Sequence, residues 1–113
     1  MQHRDWFMRA IEGIVEAIGR VMGLVKAGQL DDARRALDEA YSGQLGIPLA
    51  MIDRLDAASV VLVLGPERAT LLLDLLRAEA ALATASGDAA LALRIERRSA
   101  AIERHVSDRR RSA

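Results

Sequence analysis

Residues that could perform acid–base or metal chemistry are few and scattered. The two histidines, His3 and His105, lie far apart in the chain, and neither has the spacing that places metal ligands on one helix face. The absence of cysteine excludes disulfides, thiolate metal sites and a cysteine nucleophile. No phosphate-binding glycine loop and no nucleophile elbow occurs either. We therefore expect a protein that is not an enzyme, with no catalytic, cofactor or metal site.

Two groups of residues have a chemical interpretation beside a simpler structural one. His105 borders the apolar face of a predicted helix, which is where a phosphotransfer histidine would lie. The lysine and glycine that usually accompany such a histidine are missing, so the favoured interpretation is a half-exposed helix residue. Glu12, Glu16 and Glu79 could form a carboxylate metal site in a bundle, yet no Glu-x-x-His motif accompanies them. Glu79 lies among leucines on a wide apolar face, which favours a paired or rim carboxylate and makes it a candidate interaction residue.

The charges are balanced overall but unevenly placed. Sixteen basic residues match sixteen acidic ones, yet residues 94–113 hold seven arginines against three acids, a net +4, which leaves −4 for the rest. Arg109, Arg110 and Arg111 therefore form a candidate contact site in a predicted flexible tail, 108–113. No aromatic residues alternate with these arginines, and the acidic remainder of the chain would repel phosphate, so nucleic acid is an unlikely partner. A frayed, exposed C-terminus is favoured over a contact site for an acidic partner or nucleic acid.

Aromatic residues are scarce, and two of the three are adjacent at the start of the chain: Trp6 and Phe7. On a helix they point about 100° apart. Phe7 continues an apolar stripe and should be buried, whereas Trp6 lies off that line. Because tryptophan is enriched among the energetic anchors of interfaces, Trp6 is the best candidate for a partner contact. The alternative is an apolar lid over the end of the bundle.

The elements that position these residues follow from two glycine turns, at Gly28 and Gly87. Each turn follows a long amphipathic segment and precedes an alanine-rich run, so each predicts a helix–turn–helix hairpin. The middle is less regular: glycines 43 and 46 break the second helix, and the run 60–64 resembles a strand but has no partner strand, so a short buried helix is predicted. The sequence thus predicts six helices: one at about 5–27, one that begins near residue 31, and four at 48–55, 60–64, 66–86 and 88–106.

A ridge of small residues lies on the first predicted helix, at Gly19, Gly23 and Ala27. Such a ridge permits close approach of another helix. The favoured interpretation is close packing against the second helix of the hairpin, and a self-association surface is the alternative.

The first turn and its second helix resemble the second half of a tetratricopeptide repeat. Ala33, Leu37 and Ala40 match that pattern, while in the second copy Ala92 matches and two later positions depart from it. The whole chain is also similar to an uncharacterised family of short bacterial all-helical proteins, whose start matches residues 4–6 and 11–12 here. The resemblance implies an all-α, tetratricopeptide-like fold of antiparallel helical hairpins, and implies no particular activity.

Composition limits the remaining classes. A hydrophobic content of 51% is too high for a disordered chain, and no apolar run reaches the roughly 18 residues of a membrane helix. No secretory signal is evident, so we expect a cytoplasmic protein without membrane association. We expect a single helical domain over 1–107, and no small-molecule substrate is evident. The predicted function is a non-catalytic protein–protein interaction or scaffold module of unknown partner. The alternative is a self-assembling protein, or one associated with nucleic acid through its basic tail.

Overall fold

Two long helical hairpins, linked by a short irregular segment, form the fold. The computed structural model describes residues 2–112, with side chains from residue 4 onward, so the side chain of His3 lies outside the described part. The helices are α1 (Gln2–Lys26), α2 (Leu30–Ala40), α3 (Leu49–Ile52), α4 (Ala57–Ala85) and α5 (Ala89–Ser112). A π-helical turn, Tyr41–Leu45, extends α2. Since residues 2–112 contain no strand, the all-α prediction is confirmed.

Both glycine turns have the geometry that the sequence predicted. Gly28 and Gly87 have φ values of 74° and 81°, in the left-handed region where a side chain is strained. After α1, the amide of Gln29 donates to the carbonyl of Leu24 at 2.9 Å, and Gly28 donates to Val25 at 3.1 Å. The equivalent pair of bonds follows α4, from residues 88 and 87. These are Schellman motifs, which satisfy the last carbonyls of each helix and reverse the chain.

The middle of the chain contains the break predicted at Gly65. The segments predicted as helices at 60–64 and 66–86 are the two parts of α4, which a kink separates at the single non-helical residue, Gly65 (φ 83°, ψ 161°). This combination of angles is accessible essentially only to glycine. The second helix also continues past Gly43 and ends at Gly46. The predicted break at Gly65 is therefore present, whereas Gly43 does not end the second helix.

The β-branched run 60–64 is helical, as predicted, but only partly buried. Val60, Val61 and Leu64 face the core, whereas Leu62 and Val63 are 67% and 55% exposed. A helix shows one face to the core and the other to solvent, so consecutive apolar residues cannot all be covered by the same neighbours.

Two arginines from the long helices complete the ends of the short elements. Arg68 of α4 donates to the carbonyl of Leu45, which ends the π-helical turn. Arg98 of α5 donates to the carbonyl of Ile52, the last residue of α3, at 2.6 Å. Carbonyls at a helix end lack intrahelical donors, so these guanidinium groups satisfy them and attach the linking segment to the second hairpin.

The hairpins pack through the apolar stripe predicted on α1, together with α2, the π-helical turn and α4. Core residues from the first hairpin include Ile14, Val21, Ala33, Leu37 and Tyr41, all at most 1% exposed. The prediction that Gly23 packs against α2 is wrong. Gly19, Gly23 and Ala27 are exposed, and a Cβ added at either glycine would meet nothing within 4 Å. The close approach occurs instead at Gly13, where an added Cβ would meet the side chain of Gln44 in the π-helical turn.

Helix α5 continues into the segment predicted as a flexible tail. Arg111 pairs with Asp108 at 2.7 Å, and the Ser112 hydroxyl donates to the carbonyl of Asp108 at 3.0 Å. Three arginines in the last turn also complement the negative end of the helix dipole. The predicted boundary at residue 107 therefore does not coincide with a helix end.

Candidate interaction groove

Residues from both ends of the described chain meet at one half-open groove, which we call the tryptophan groove. Trp6 of α1, Leu64 and Arg68 of α4 and Arg110 of α5 line it, together with residues 65–67. Its volume is about 430 Å³, within the range of pockets that hold small ligands or side chains. Two of the five candidate interaction residues, Trp6 and Arg110, are thus brought together across more than a hundred residues of sequence.

The groove exists because α4 breaks at Gly65. Its extended backbone angles interrupt the helix, and Pro66 then begins the second part, where a missing amide hydrogen costs nothing. The two parts of α4 leave a recess that α1 and the end of α5 border on either side. The sequence marks this place through its Gly–Pro dipeptide, but not which other segments come to it.

Trp6 is partly covered and partly open. It lines the groove at the break in α4, and 42% of the residue remains exposed to solvent. A large aromatic side chain with one covered and one open face can pack on a partner without first leaving the core.

The arginines of the last turn of α5 have different surroundings. The Arg110 guanidinium reaches α4, where Nη2 donates to the Thr70 hydroxyl at 3.2 Å. Arg111 is paired with Asp108 within its own helix. Arg109 is exposed to solvent. Only Arg110 of the three lines the tryptophan groove.

Glu79, the remaining candidate, lies in the interior instead of on a contact surface. Its side chain is 8% exposed, and both carboxylate oxygens accept from Arg34 of α2, at 2.5 and 2.8 Å. Arg34 also pairs with Asp38, one turn further along α2, at 2.7 Å. We therefore assign Glu79 to the attachment of α2 to α4, and not to partner binding.

A buried tyrosine accompanies this ion pair. The Tyr41 residue is 0% exposed, and its hydroxyl makes no hydrogen bond of normal geometry within the described residues. Burial, and then the negative charge of Glu79, raise the pKa of Tyr41 far above its usual value of 10. The hydrogen bonds with Glu79 likewise raise the pKa of Arg34, against the opposing effect of its partial burial. Both groups therefore keep their protons throughout the physiological range.

Within the described part of the chain, no three histidine, aspartate or glutamate side chains are placed together as a metal site would require. His105, one of the residues with a conceivable chemical function, is exposed on α5.

The chain was compared with protein-family models, curated proteins and solved structures, and none of the three comparisons found a match. No helix among the described residues has the length and apolarity needed to cross a membrane.

Proposed function

We propose that this chain is a non-catalytic protein–protein interaction module, and that its contact surface is the tryptophan groove. The observation that carries the proposal is the convergence of Trp6 and Arg110 on one half-open recess. Tryptophan and arginine are the residue types most enriched among the few side chains that supply most of the energy of an interface.

The backbone around the groove supports this assignment. The glycine-only conformation at residue 65 shapes the recess, and Pro66 restricts the chain immediately after it. A surface that is already formed before binding loses little conformational entropy when a partner docks. The arrangement is therefore suited to binding by a largely preformed surface.

Site-specific photocrosslinking tests the proposal. A photoreactive amino acid at Glu67, beside the groove, should give defined adducts in cells that express the protein, and these should disappear when Trp6→Ala is added. A purified partner identified from the adducts should then shift the fluorescence of Trp6, the single tryptophan of the chain. The matched control carries the photoreactive group at Val15, which is 64% exposed on α1. Equal adducts from both positions would place the contact surface elsewhere.

Self-association is the second candidate function, and the outer face of α1 favours it. Met8 and Val15 are 50% and 64% exposed on the same side of the helix as the exposed Gly19 and Gly23. Measurement of the solution mass across a wide range of protein concentration separates the two. A mass that doubles with concentration, and returns to that of the monomer in Val15→Lys, supports self-association.

A further inference from the structure

The charge beside the tryptophan groove identifies the chemistry of its occupant. Resting on the proposed function, we infer that the groove binds a protein segment in which an apolar side chain is next to one or more carboxylates. The apolar side chain packs on Trp6 and Leu64, and the carboxylate pairs with Arg110.

The residues that line the groove match both parts of such a segment, the apolar side chain and the carboxylate. Among the described lining residues, Trp6, Leu64 and Pro66 supply apolar surface, Arg68 and Arg110 supply two positive charges, and Glu67 supplies one negative charge. Beyond the groove, Arg109 is exposed in the same turn of α5 and Arg111 is paired with Asp108, so Arg110 is the arginine of that turn that lines the groove. The local field therefore favours an anionic partner, although the protein as a whole has no net charge.

Arg110 is placed to act as the recognition group. Its hydrogen bond to Thr70 holds the guanidinium over α4 without a carboxylate partner in that bond. A guanidinium has five donors arranged as a planar fork, so a hydroxyl that accepts from one of them leaves donors for a bidentate contact with a carboxylate. Arg68 also contributes positive charge, but it is partly buried and donates to the carbonyl of Leu45, whereas Arg110 is exposed.

The shape of the groove favours a peptide segment over a small molecule or a nucleic acid. Small-molecule sites usually enclose most of their ligand, whereas this recess is open on one side. Sites for single-stranded nucleic acid usually present several aromatic platforms along a basic track, and here one tryptophan lies beside one reachable arginine.

A phage-displayed library of short random peptides tests the inference on the full chain. Wild-type protein should enrich sequences with aspartate or glutamate next to an apolar residue, and Trp6→Ala should enrich none of them. An enriched peptide should then be synthesised with its acids replaced by the matching amides. We expect the amide form to bind wild type about tenfold more weakly, a difference of about 1.4 kcal/mol. In Arg110→Gln the two forms should bind almost equally.

The outcomes separate this inference from the proposed function. Peptides that need Trp6 but contain no acids, or that tolerate the amide replacement, overturn the choice of ligand and leave the contact surface in place. Enrichment that is identical in Trp6→Ala, or absent from wild type, overturns both. Binding of a single-stranded oligonucleotide, or of vesicles rich in anionic lipid, that is tighter than binding of any enriched peptide would overturn the choice of a protein segment as the ligand. Circular dichroism and the melting temperature of Arg110→Gln provide the control for folding, and Arg109→Gln provides a matched charge control that should retain discrimination between the two peptides.

Discussion

Two arginines reach α4 from neighbouring helices, and their surroundings differ. Arg34 of α2 meets the buried carboxylate of Glu79, which accepts two hydrogen bonds from it. Among the described residues, Arg110 of α5 donates to the Thr70 hydroxyl, at the edge of an open groove that Trp6 also lines. Glu79 neutralises the charge of Arg34 within the fold, whereas Arg110 and Trp6 present positive charge and aromatic surface to solvent. The comparison distinguishes a contact that holds the fold together from one that is available to a partner.

The largest effect is expected from breaking the internal pair. Arg34→Leu should lower the free energy of unfolding by about 3 kcal/mol, because it leaves the carboxylate of Glu79 buried without its cation. Arg34 itself is 37% exposed, so the loss should be at the low end of the range for fully buried pairs. Urea unfolding followed by circular dichroism measures the change.

The double variant Arg34→Leu/Glu79→Leu is the matched control for this prediction. With both charges removed, most of the lost stability should return, since apolar residues of similar volume can replace a buried ion pair. If the single variant is no less stable than the double one, the pair does not hold α2 on α4.

The break in α4 should also be sensitive to substitution, because it shapes the groove. Gly65→Ala should cost about 1–3 kcal/mol, since alanine is strained at the observed angles even though a Cβ there would meet no other atom within 4 Å. Gly19→Ala is the control: this glycine lies in the interior of α1 with open space around it, so alanine should add about 0.5–1 kcal/mol. Equal effects of the two substitutions on thermal unfolding would contradict the conformational argument.

Alkaline pH should act on the interior and not on the groove. Tyr41 has a raised pKa, so above about pH 10 the unfolded chain loses this proton while the folded chain keeps it. The free energy of unfolding should therefore be intact at neutral pH and fall by about 1.4 kcal/mol per pH unit above that point. Because the chain has one tyrosine, tyrosinate absorbance should appear only as the protein unfolds.

Tyr41→Phe should remove this extra pH dependence. At neutral pH it should change stability by less than about 1 kcal/mol in either direction, because the buried hydroxyl has no hydrogen bond of normal geometry to lose. A folded wild-type protein whose tyrosine ionises near pH 10 would show that the hydroxyl is accessible to solvent.

The smallest effects on stability are expected in the groove. Trp6→Ala should cost roughly 1 kcal/mol, well below the 3–5 kcal/mol of a fully buried tryptophan, because 42% of the residue is exposed. In the wild type, the fluorescence of Trp6 should be quenched by acrylamide in the absence of any partner. A loss near 3 kcal/mol together with protected fluorescence would make Trp6 a structural lid.

Local sequence determined the elements of the fold more reliably than their arrangement. Gly28 and Gly87 predict their turns because a left-handed residue at a helix end depends on a few neighbouring bonds. The stripe on α1 and the buried face of α2 follow from spacing alone, since a helix that faces a core repeats its apolar positions every three to four residues. The Gly–Pro dipeptide likewise predicts the break at residue 65 and the helix that resumes directly after it.

Contacts between distant segments were decided only by the tertiary structure. On sequence alone Arg34 belongs to a charged outer face, and only the packing of α2 on α4 places it against Glu79. Gly19 and Gly23 suggest close approach by their spacing, yet the orientation of α1 turns them to solvent and places Gly13 against Gln44. The meeting of Trp6 with Arg110 has no local signal, because it depends on how both hairpins orient around the break in α4. The sequence by itself therefore determined the helices and nominated Trp6 and the arginines, and the packing between hairpins decided which of them form one surface.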